Sequence, residues 1–328
     1  MAEWLIEDGI GETRAALVDG GSIVEAAIEL PGGLRAGTVA AARLAKIIAP
    51  GRVGLALLQS GEEVLIQPLP KGVSEGGGLV VEVTREAIDQ KRPQCRAAPV
   101  GNALCDGPDL ATRIAASGAS FRRLGAHEPD ALEAAGWSEL IDAATSGAIA
   151  FPGGGLLMSL TPAMTLLDVD GSLAPPELAV AGAAAAGCAI RALGVTGSIG
   201  IDLPTLGARS ARQLAAAALD AALPPPFERT AVNGFGFLQV VRPQRRASLP
   251  QLIAQDPLGA YARALLRRAE RIAGRGRRTL TGHPQLIARL HANPDWLAEL
   301  ERRTGTAIAL RSDPTLAISG GHGDADHP

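Results

Sequence analysis

Short apolar runs and Ala-rich runs alternate through the centre of the chain, and this order constrains the fold more than any other feature. Residues 163–169, 198–203 and 236–242 have the apolar character of buried strands, and residues 175–193 and 208–222 have the composition of helices. Helical connections of this length favour right-handed crossovers between parallel strands. The order therefore predicts an α/β unit with a parallel sheet.

The N-terminal third has a different pattern, in which short apolar runs are separated by glycine and proline. The pattern of residues 4–30 predicts strands joined by tight turns, with Gly20 and Gly21 in a hairpin turn. Residues 37–97 predict five short strands, which is typical of a small β-barrel. Further predicted elements are a helix over 129–144, a hairpin over 148–160, an Arg-rich helix over 260–272, a strand–helix–helix–strand unit over 277–318 and a frayed tail.

The composition limits the classes of function. The 328 residues are 47% hydrophobic and 20% charged, which is the balance of a globular protein. The net charge of −3 gives no general attraction to nucleic acid or to an anionic membrane. The N-terminus lacks the pattern of a signal peptide, and the most apolar window, residues 178–193, is shorter than the ~20 residues of a membrane span. We therefore expect a cytoplasmic protein with no membrane partner.

Two aspartates stand at the ends of predicted strands. Asp168 ends the first strand of the central unit, Asp202 ends the second, and one helical connection joins these strands. We expect their carboxylates at the same edge of the sheet, with Asp170 pointing to the same side as Asp168. Carboxylate oxygens with retained waters are typical Mg²⁺ ligands. On spacing alone, a strand-ending turn at Asp168 and Asp170 with an N-cap at Asp202 is an equally good interpretation.

Ten arginines lie between residues 242 and 278, against two acidic residues. Arginine makes forked contacts with phosphate, so this segment predicts a positive surface for a phosphodiester backbone. The alternative is a solvated helix face. Arg242 ends the third predicted strand, and in a parallel sheet it would stand beside the two aspartates.

Three segments resemble the ribonuclease E/G family of bacterial endoribonucleases. They are FPGGGLLMSLTPAMTLLDVDG (151–171), LGVTGSIGIDLPTLG (193–207) and NGFGFLQVVRPQRR (233–246), in the order and at the spacing of the family. The resemblance implies a mixed α+β multidomain fold. Its units would be the N-terminal strands of a split RNase H-like unit (1–33), an S1-like OB barrel (34–98), a reduced linker or RNase H-like remnant (99–147), a catalytic α/β domain with parallel strands (148–250) and a small C-terminal α/β domain (251–328).

The resemblance also implies an activity and the residues that carry it. Asp168 and Asp202 match the family's two magnesium-binding aspartates, and Asp170 stands where the family usually has an asparagine that supports the site. Mg²⁺ would assist the attack of water on a single-stranded RNA phosphodiester and leave a 5′-phosphate. RNA contacts are expected from Arg85 and Lys91 on the barrel and from Arg242, Arg245 and Arg246 after the third strand.

The chain also departs from the family. It is short between the barrel and residue 150, where the family's 5′-monophosphate sensor lies. The three cysteines are scattered and no zinc-link motif follows Arg246, so any oligomer is not expected to be zinc-joined. The glycines at 153–155 precede a strand rather than a helix, so no nucleotide cofactor is expected. Leucines near Leu57 and Leu65 replace the family's stacking aromatics, a loss of about 1–3 kcal/mol per base.

Two other functions stay open on the sequence. The first is a catalytically weak or inactive RNA-binding relative, which the missing sensor, zinc link and aromatics favour. The second is a haloacid-dehalogenase-type phosphatase, because LLDVDGSL (166–173) is close to the nucleophile motif of that class, with Asp168 as nucleophile and Asp170 as acid–base. That class also needs a lysine on a later strand, and no lysine follows Lys91.

Overall fold

The computed structural model of the protein describes residues 2–99 and 101–327, apart from the side chains of Arg275 and His327. In this part of the chain the strands form three sheets and one closed barrel, with helices between them. The protein is therefore of the mixed α+β class that the sequence predicts. None of the described helices is long and apolar enough to cross a membrane.

The chain begins with three antiparallel strands: β1 (Glu3–Gly9), β2 (Glu12–Asp19) and β3 (Ser22–Glu29). Gly20 and Gly21 connect β2 to β3 with φ values of +57° and +84°. A two-residue hairpin turn of type I′ needs positive φ at both positions, which glycine adopts without strain. The hairpin predicted at these glycines is confirmed.

The next five strands are β4 (Val39–Ala49), β5 (Val53–Leu58), β6 (Glu63–Ile66), β7 (Gly78–Arg85) and β8 (Gln94–Ala97). They close into a barrel in the order β4-β5-β6-β8-β7. Its interior is filled by apolar side chains, among them the fully buried Leu44, Val64, Ile66 and Val81. Closure of the barrel pairs the backbone N–H and C=O groups that the edge strands of an open sheet would leave exposed. The small barrel predicted over residues 37–97 is confirmed.

A mixed segment follows the barrel: α1 (Leu110–Ala116), β9 (Phe121–Arg123), α2 (Ala131–Ala134) and α3 (Trp137–Ser146). β9 pairs in parallel with β1 and extends the first sheet to the order β3-β2-β1-β9. The sequence predicts a single helix over 129–144, and this prediction is wrong. Gly136 has a φ of +98° and separates α2 from α3, because a left-handed residue interrupts the helical hydrogen bonding.

The central unit is a six-stranded sheet with helices on one face. Its elements are β10 (Ala148–Phe151), β11 (Gly154–Leu160), β12 (Thr165–Gly171), α4 (Pro175–Ala192), β13 (Gly197–Asp202), α5 (Arg209–Ala222), β14 (Glu228–Arg229) and β15 (Phe237–Arg242), and the strand order is β10-β11-β12-β13-β15-β14. Gly182 lets α4 pack closely on the sheet, since a Cβ there would lie 2.4 Å from Cγ1 of Val169. This helix-covered face holds the main hydrophobic core.

The prediction that the three strands β12, β13 and β15 are parallel is wrong for β15. β12 and β13 are parallel, but β15 runs antiparallel to β13, with Phe237 opposite Asp202 and Arg242 opposite Gly197. The reason is the short strand β14, which pairs antiparallel with β15. β14 returns the chain to the Asp202 end of the sheet before β15 begins, so β15 must run in the reverse direction.

The C-terminal part contains α6 (Leu249–Gln255), α7 (Pro257–Glu270), β16 (Arg275–Gly282), α8 (Pro284–His291), α9 (Pro294–Thr304), β17 (Ile308–Ser312) and β18 (His322–His327). The predicted strand–helix–helix–strand unit is confirmed by β16, α8, α9 and β17. The prediction of a frayed C-terminal tail is wrong, because β18 pairs antiparallel with β16. Gly323 leaves room for neighbouring side chains at this pairing: a Cβ there would lie 3.0 Å from Cδ2 of its register partner Leu280 and 2.7 Å from Cδ1 of Ile272.

Candidate functional site

Asp168 and Asp202 are direct neighbours across β12 and β13. The two residues are register partners in a parallel pair, and adjacent strands lie about 4.8 Å apart. Asp170 lies two residues further along β12, on the same side of the strand and opposite Gly155 of β11. All three carboxylates are exposed. The three residues form one group, which we call the sheet-edge aspartates.

The alternating burial of the two strands explains why the aspartates face away from the core. Leu167 and Val169 on β12 are buried against the helices, as are Ile199 and Ile201 on β13. Successive side chains of a strand point to opposite faces, so the residues between and beyond these core positions point to the uncovered face. The same pattern of apolar residues that makes the core therefore presents the carboxylates to solvent.

Electrostatically, the sheet-edge aspartates lack partners. Within residues 2–99 and 101–327, no hydrogen bond or ion pair reaches the carboxylates of Asp168, Asp170 or Asp202. Like charges on neighbouring strand positions repel each other, and a bound cation would relieve that repulsion. The group therefore has both the charge and the free oxygens to receive one.

The donor set determines which cation fits. Among the described residues there is no group of three or more His, Cys, Asp or Glu that could hold a metal ion by itself. Mg²⁺ is commonly held by only one or two carboxylates, with waters and substrate phosphates completing its shell. The Asp168 and Asp202 carboxylates fit that requirement, whereas they do not make a closed structural site of the kind that zinc prefers.

The uncovered face of the central sheet is partly apolar around the aspartates. Leu157 is the register partner of Asp168 and is 53% exposed, and Phe237 is the partner of Asp202. Val241, further along β15, is 47% exposed on the same face. We call this surface the open face. Phe237, the half-buried aromatic residue of the open face, was not singled out from the sequence.

Arg242 does not lie beside the aspartates, contrary to the sequence prediction. It is opposite Gly197, the first residue of β13, about 17 Å along the strand from Asp202. It is also five positions from Phe237, so strand alternation turns it to the other face. Its Nη1 donates to the carbonyl oxygen of Val195 at 3.0 Å, and burial lowers the pKa of its guanidinium.

The other predicted RNA contacts lie where the barrel meets the segment after β15. Arg246 Nε lies 3.0 Å from Glu86 Oε1, and the Glu86 N–H donates to the carbonyl oxygen of Arg245. Arg85 donates to the carbonyl oxygen of Arg92 at 3.0 Å. Of the predicted contacts, Arg245 and Lys91 are exposed and Arg85 and Arg246 are half-buried. Arg85, Arg245 and Arg246 therefore lie at one junction around Glu86, and Lys91 lies in the connection between β7 and β8.

A cavity of about 660 Å³ adjoins this junction and is bounded by β3, α1, the barrel and the residues that follow β15. Its lining has four arginines and four glutamates, so it presents no net charge. Arg113 and Arg35 both pair with Glu29, at 2.7 and 3.1 Å. Because the charges of its wall are largely satisfied internally, we do not assign a ligand to this cavity.

The arginine-rich segment is not the continuous positive surface that the sequence predicts, because three of its ten arginines, Arg263, Arg267 and Arg278, are buried. Arg263 and Arg267 on α7 hold the two oxygens of Glu12, at 3.0 and 2.8 Å. All three of these residues are buried. Burial is the main cause of a lowered pKa for Arg267. The sequence concealed these pairs because Glu12 lies about 250 positions before its partners.

A second set of contacts joins α7 to the first sheet. Arg14 is fully buried, with Nη2 2.7 Å from Glu7 Oε2 and 2.7 Å from Asp130 Oδ2. Arg271 also reaches Glu7, at 3.0 Å, and Arg14 lies over the ring of Trp137. We call the whole set the buried ion network: Glu7, Glu12, Arg14, Asp130, Arg263, Arg267 and Arg271.

No known protein-family model matches the chain, and no curated protein is similar to it at a significant level. The case for a function therefore depends on the residues of the site.

Proposed function

We propose that the protein is a Mg²⁺-dependent endoribonuclease of the ribonuclease E/G type, which hydrolyses phosphodiester bonds of single-stranded RNA in RNA processing or decay. The observation that carries this proposal is that Asp168 and Asp202 lie exposed on adjacent strands, with no partner among the described residues. The three segments that resemble the family support it, since both aspartates lie in those segments at the expected positions.

In this proposal the carboxylates of Asp168 and Asp202 hold the cation, and Asp170 adds negative charge beside them. When bound, Mg²⁺ neutralises the non-bridging phosphate oxygens and makes a water molecule a better nucleophile. The open face lets a phosphodiester approach both carboxylates, because Asp168 and Asp202 are exposed there and none of the described helices covers them. The antiparallel neighbour β15 keeps Arg242 away, so this arginine is not the group that neutralises the phosphate at the site.

The barrel supports an RNA substrate. Five strands in a closed barrel, with β6 parallel to β8, are consistent with an OB-like fold, and OB folds bind oligonucleotides. In the proposal this barrel is the S1-like module. Arg85, Lys91 and Arg245 are the cations best placed to contact a backbone there, since Arg246 is engaged with Glu86.

A second candidate is an RNA-binding protein that does not cleave. The specific observation in its favour is the absence, among the described residues, of three ligands arranged for a metal. The phosphatase alternative has less support, because the lysine that such chemistry needs does not occur after Lys91.

The test is cleavage of a labelled single-stranded RNA with a 5′-monophosphate, in Mg²⁺ or in EDTA. We expect cutting in Mg²⁺ only, and a loss of at least about a hundredfold in Asp202→Asn, since a metal centre supplies several kcal/mol of transition-state stabilisation. Asp142→Asn is the matched control, because Asp142 is also exposed but lies on α3. RNA binding without cutting would favour the second candidate.

A further inference from the structure

Phe235 has the highest exposure, 82%, of the large hydrophobic side chains in the described part of the chain. It lies in the loop before β15, in a protein with only five Phe, three Trp and one Tyr. Exposing an aromatic ring forgoes the stabilisation that its burial would bring. A ring held in solvent on an ordered loop therefore needs an explanation beyond packing.

The loop that carries Phe235 is held by one asparagine. The Asn233 side-chain oxygen accepts hydrogen bonds from the N–H groups of Phe235, at 2.9 Å, and Phe237, at 3.0 Å. The Asn233 N–H donates in turn to the carbonyl oxygen of Phe237 at 2.9 Å. Such side-chain to backbone bonds fix a turn locally. The exposed ring is thus presented by a constrained turn rather than by a loose segment.

The same loop is attached to the residues that directly follow Asp202. The Leu203 N–H donates to the carbonyl oxygen of Gly236, and the Thr205 hydroxyl donates to that of Phe235, both at 3.3 Å. Gly236 has a φ of +96°, and a Cβ there would lie 2.1 Å from the Leu203 carbonyl oxygen. Only glycine permits this approach, which places Phe235 next to the Asp202 end of β13.

A second ring lies on the open face beside the aspartates. Phe237 is the register partner of Asp202, and its ring crosses Gly200: a Cβ on Gly200 would be 2.7 Å from the Phe237 Cζ atom and 2.8 Å from Leu166 Cδ2. Gly200 and Leu166 each precede one of the paired aspartates by two residues. The missing side chain at Gly200 therefore makes room for an apolar floor of Phe237 and Leu166 beside the carboxylates.

We propose that Phe235 and Phe237 form a stacking platform for a nucleobase of single-stranded RNA, next to the phosphodiester that water attacks at the sheet-edge aspartates. This inference rests on the proposed nuclease function and adds the group that positions its substrate. Every base has a face that stacks on an aromatic ring, and stacking on Phe tolerates any sequence. The platform also supplies, at the cleavage site, stacking that the barrel lacks, where Leu57 is an exposed aliphatic residue.

The closing experiment measures binding of a fluorescein-labelled oligouridylate to the full chain by anisotropy, in Ca²⁺ to slow cleavage. Phe235→Ala is expected to weaken binding by about 5- to 150-fold, the range that corresponds to loss of one stacked base. Phe235→Trp is expected to retain it. Leu214→Ala is the matched control, because Leu214 is a 63% exposed apolar side chain on α5, away from the loop. Its binding should equal that of the wild type.

Photocrosslinking with a 5-iodouridine oligonucleotide gives a readout that does not depend on affinity. The expected crosslink falls on Phe235 or Phe237 and disappears for Phe235 in the Ala variant. Unchanged binding by Phe235→Ala, with crosslinks elsewhere, overturns the platform, and the nuclease proposal still holds if Asp202→Asn abolishes cleavage. Binding through Phe235 without any cleavage supports the platform and rejects the nuclease. No RNA binding by the wild type rejects both.

Discussion

Two groups of carboxylates in this protein have opposite surroundings. In the buried ion network, Glu7, Glu12 and Asp130 are each held by at least one arginine at 3.0 Å or less. At the sheet edge, Asp168 and Asp202 stand side by side and no partner reaches them from the described residues. The first group lies between elements distant in the sequence, and the second lies at the end of one parallel strand pair.

The difference distinguishes carboxylates that stabilise the fold from carboxylates that are free to bind a ligand. A buried carboxylate must be paired, because an uncompensated charge out of water costs several kcal/mol. An exposed carboxylate pair is hydrated by solvent and needs no protein partner. The repulsion between its two negative charges favours the binding of a cation. Carboxylates therefore form ion pairs between the first sheet and α7 in the buried ion network, and they are candidate ligands of a cation at the sheet edge.

The largest effect on stability is expected from breaking the buried ion network. Arg14→Met would leave Glu7 and Asp130 short of a cation, and we expect a loss of about 3–5 kcal/mol in the free energy of unfolding. Urea denaturation measures it. Arg122→Met is the control, because Arg122 pairs with Glu128 at the surface and such pairs contribute about 1 kcal/mol or less. Equal effects of the two changes would contradict the distinction between the groups.

A smaller effect is expected from metal at the sheet edge. A ligand that binds only the folded state stabilises it by about 2.7 kcal/mol at a hundred times its Kd. We therefore expect saturating Mg²⁺ to raise the melting temperature of the wild type, and to do so much less in Asp168→Asn. The control variant Asp142→Asn should respond as the wild type does. An equal Mg²⁺ response in Asp168→Asn would place the bound ion elsewhere.

The network is also expected to respond to acid. Burial opposes the charged form of Asp130, but the Arg14 guanidinium and the Glu133 N–H outweigh it and hold the pKa of Asp130 below its usual range. A carboxyl with a lowered folded-state pKa stabilises the protein above its unfolded pKa of about 3.9, and that stabilisation is lost as the pH falls through the folded value. Urea unfolding between pH 7 and pH 3 should show this loss, and Asp130→Asn should show a shallower one. A pH profile unaltered by the substitution would exclude Asp130 as a source.

The smallest effect distinguishes the two groups by its sign. Without Mg²⁺, Asp170→Asn removes one of three neighbouring negative charges, so we expect a gain in stability of less than about 1 kcal/mol. Glu12→Gln removes a charge that two arginines need, so it should destabilise. Urea denaturation in EDTA compares the two. Destabilisation by Asp170→Asn would mean that the carboxylate has a structural role.

The sequence predicted the features that depend on local pattern. Gly20 and Gly21 specify a hairpin, the short runs of residues 37–97 specify a barrel, and one helix between two strands makes Asp168 and Asp202 neighbours. It did not predict the direction of β15, because β14 has only two residues and no visible pattern. It did not predict the arginine pairs with Glu12, nor the loop that presents Phe235, because those depend on contacts between distant segments.

The measurement that tests the central claim most directly is a titration with Mn²⁺, which prefers the same oxygen ligands as Mg²⁺ and whose free form is quantified by electron paramagnetic resonance. We predict one site per chain in the wild type, competed by Mg²⁺, weakened by at least about tenfold in Asp168→Asn and in Asp202→Asn, and unchanged in Asp142→Asn. Equal binding by all four proteins, or none by the wild type, would contradict the assignment of the sheet-edge aspartates as a metal site.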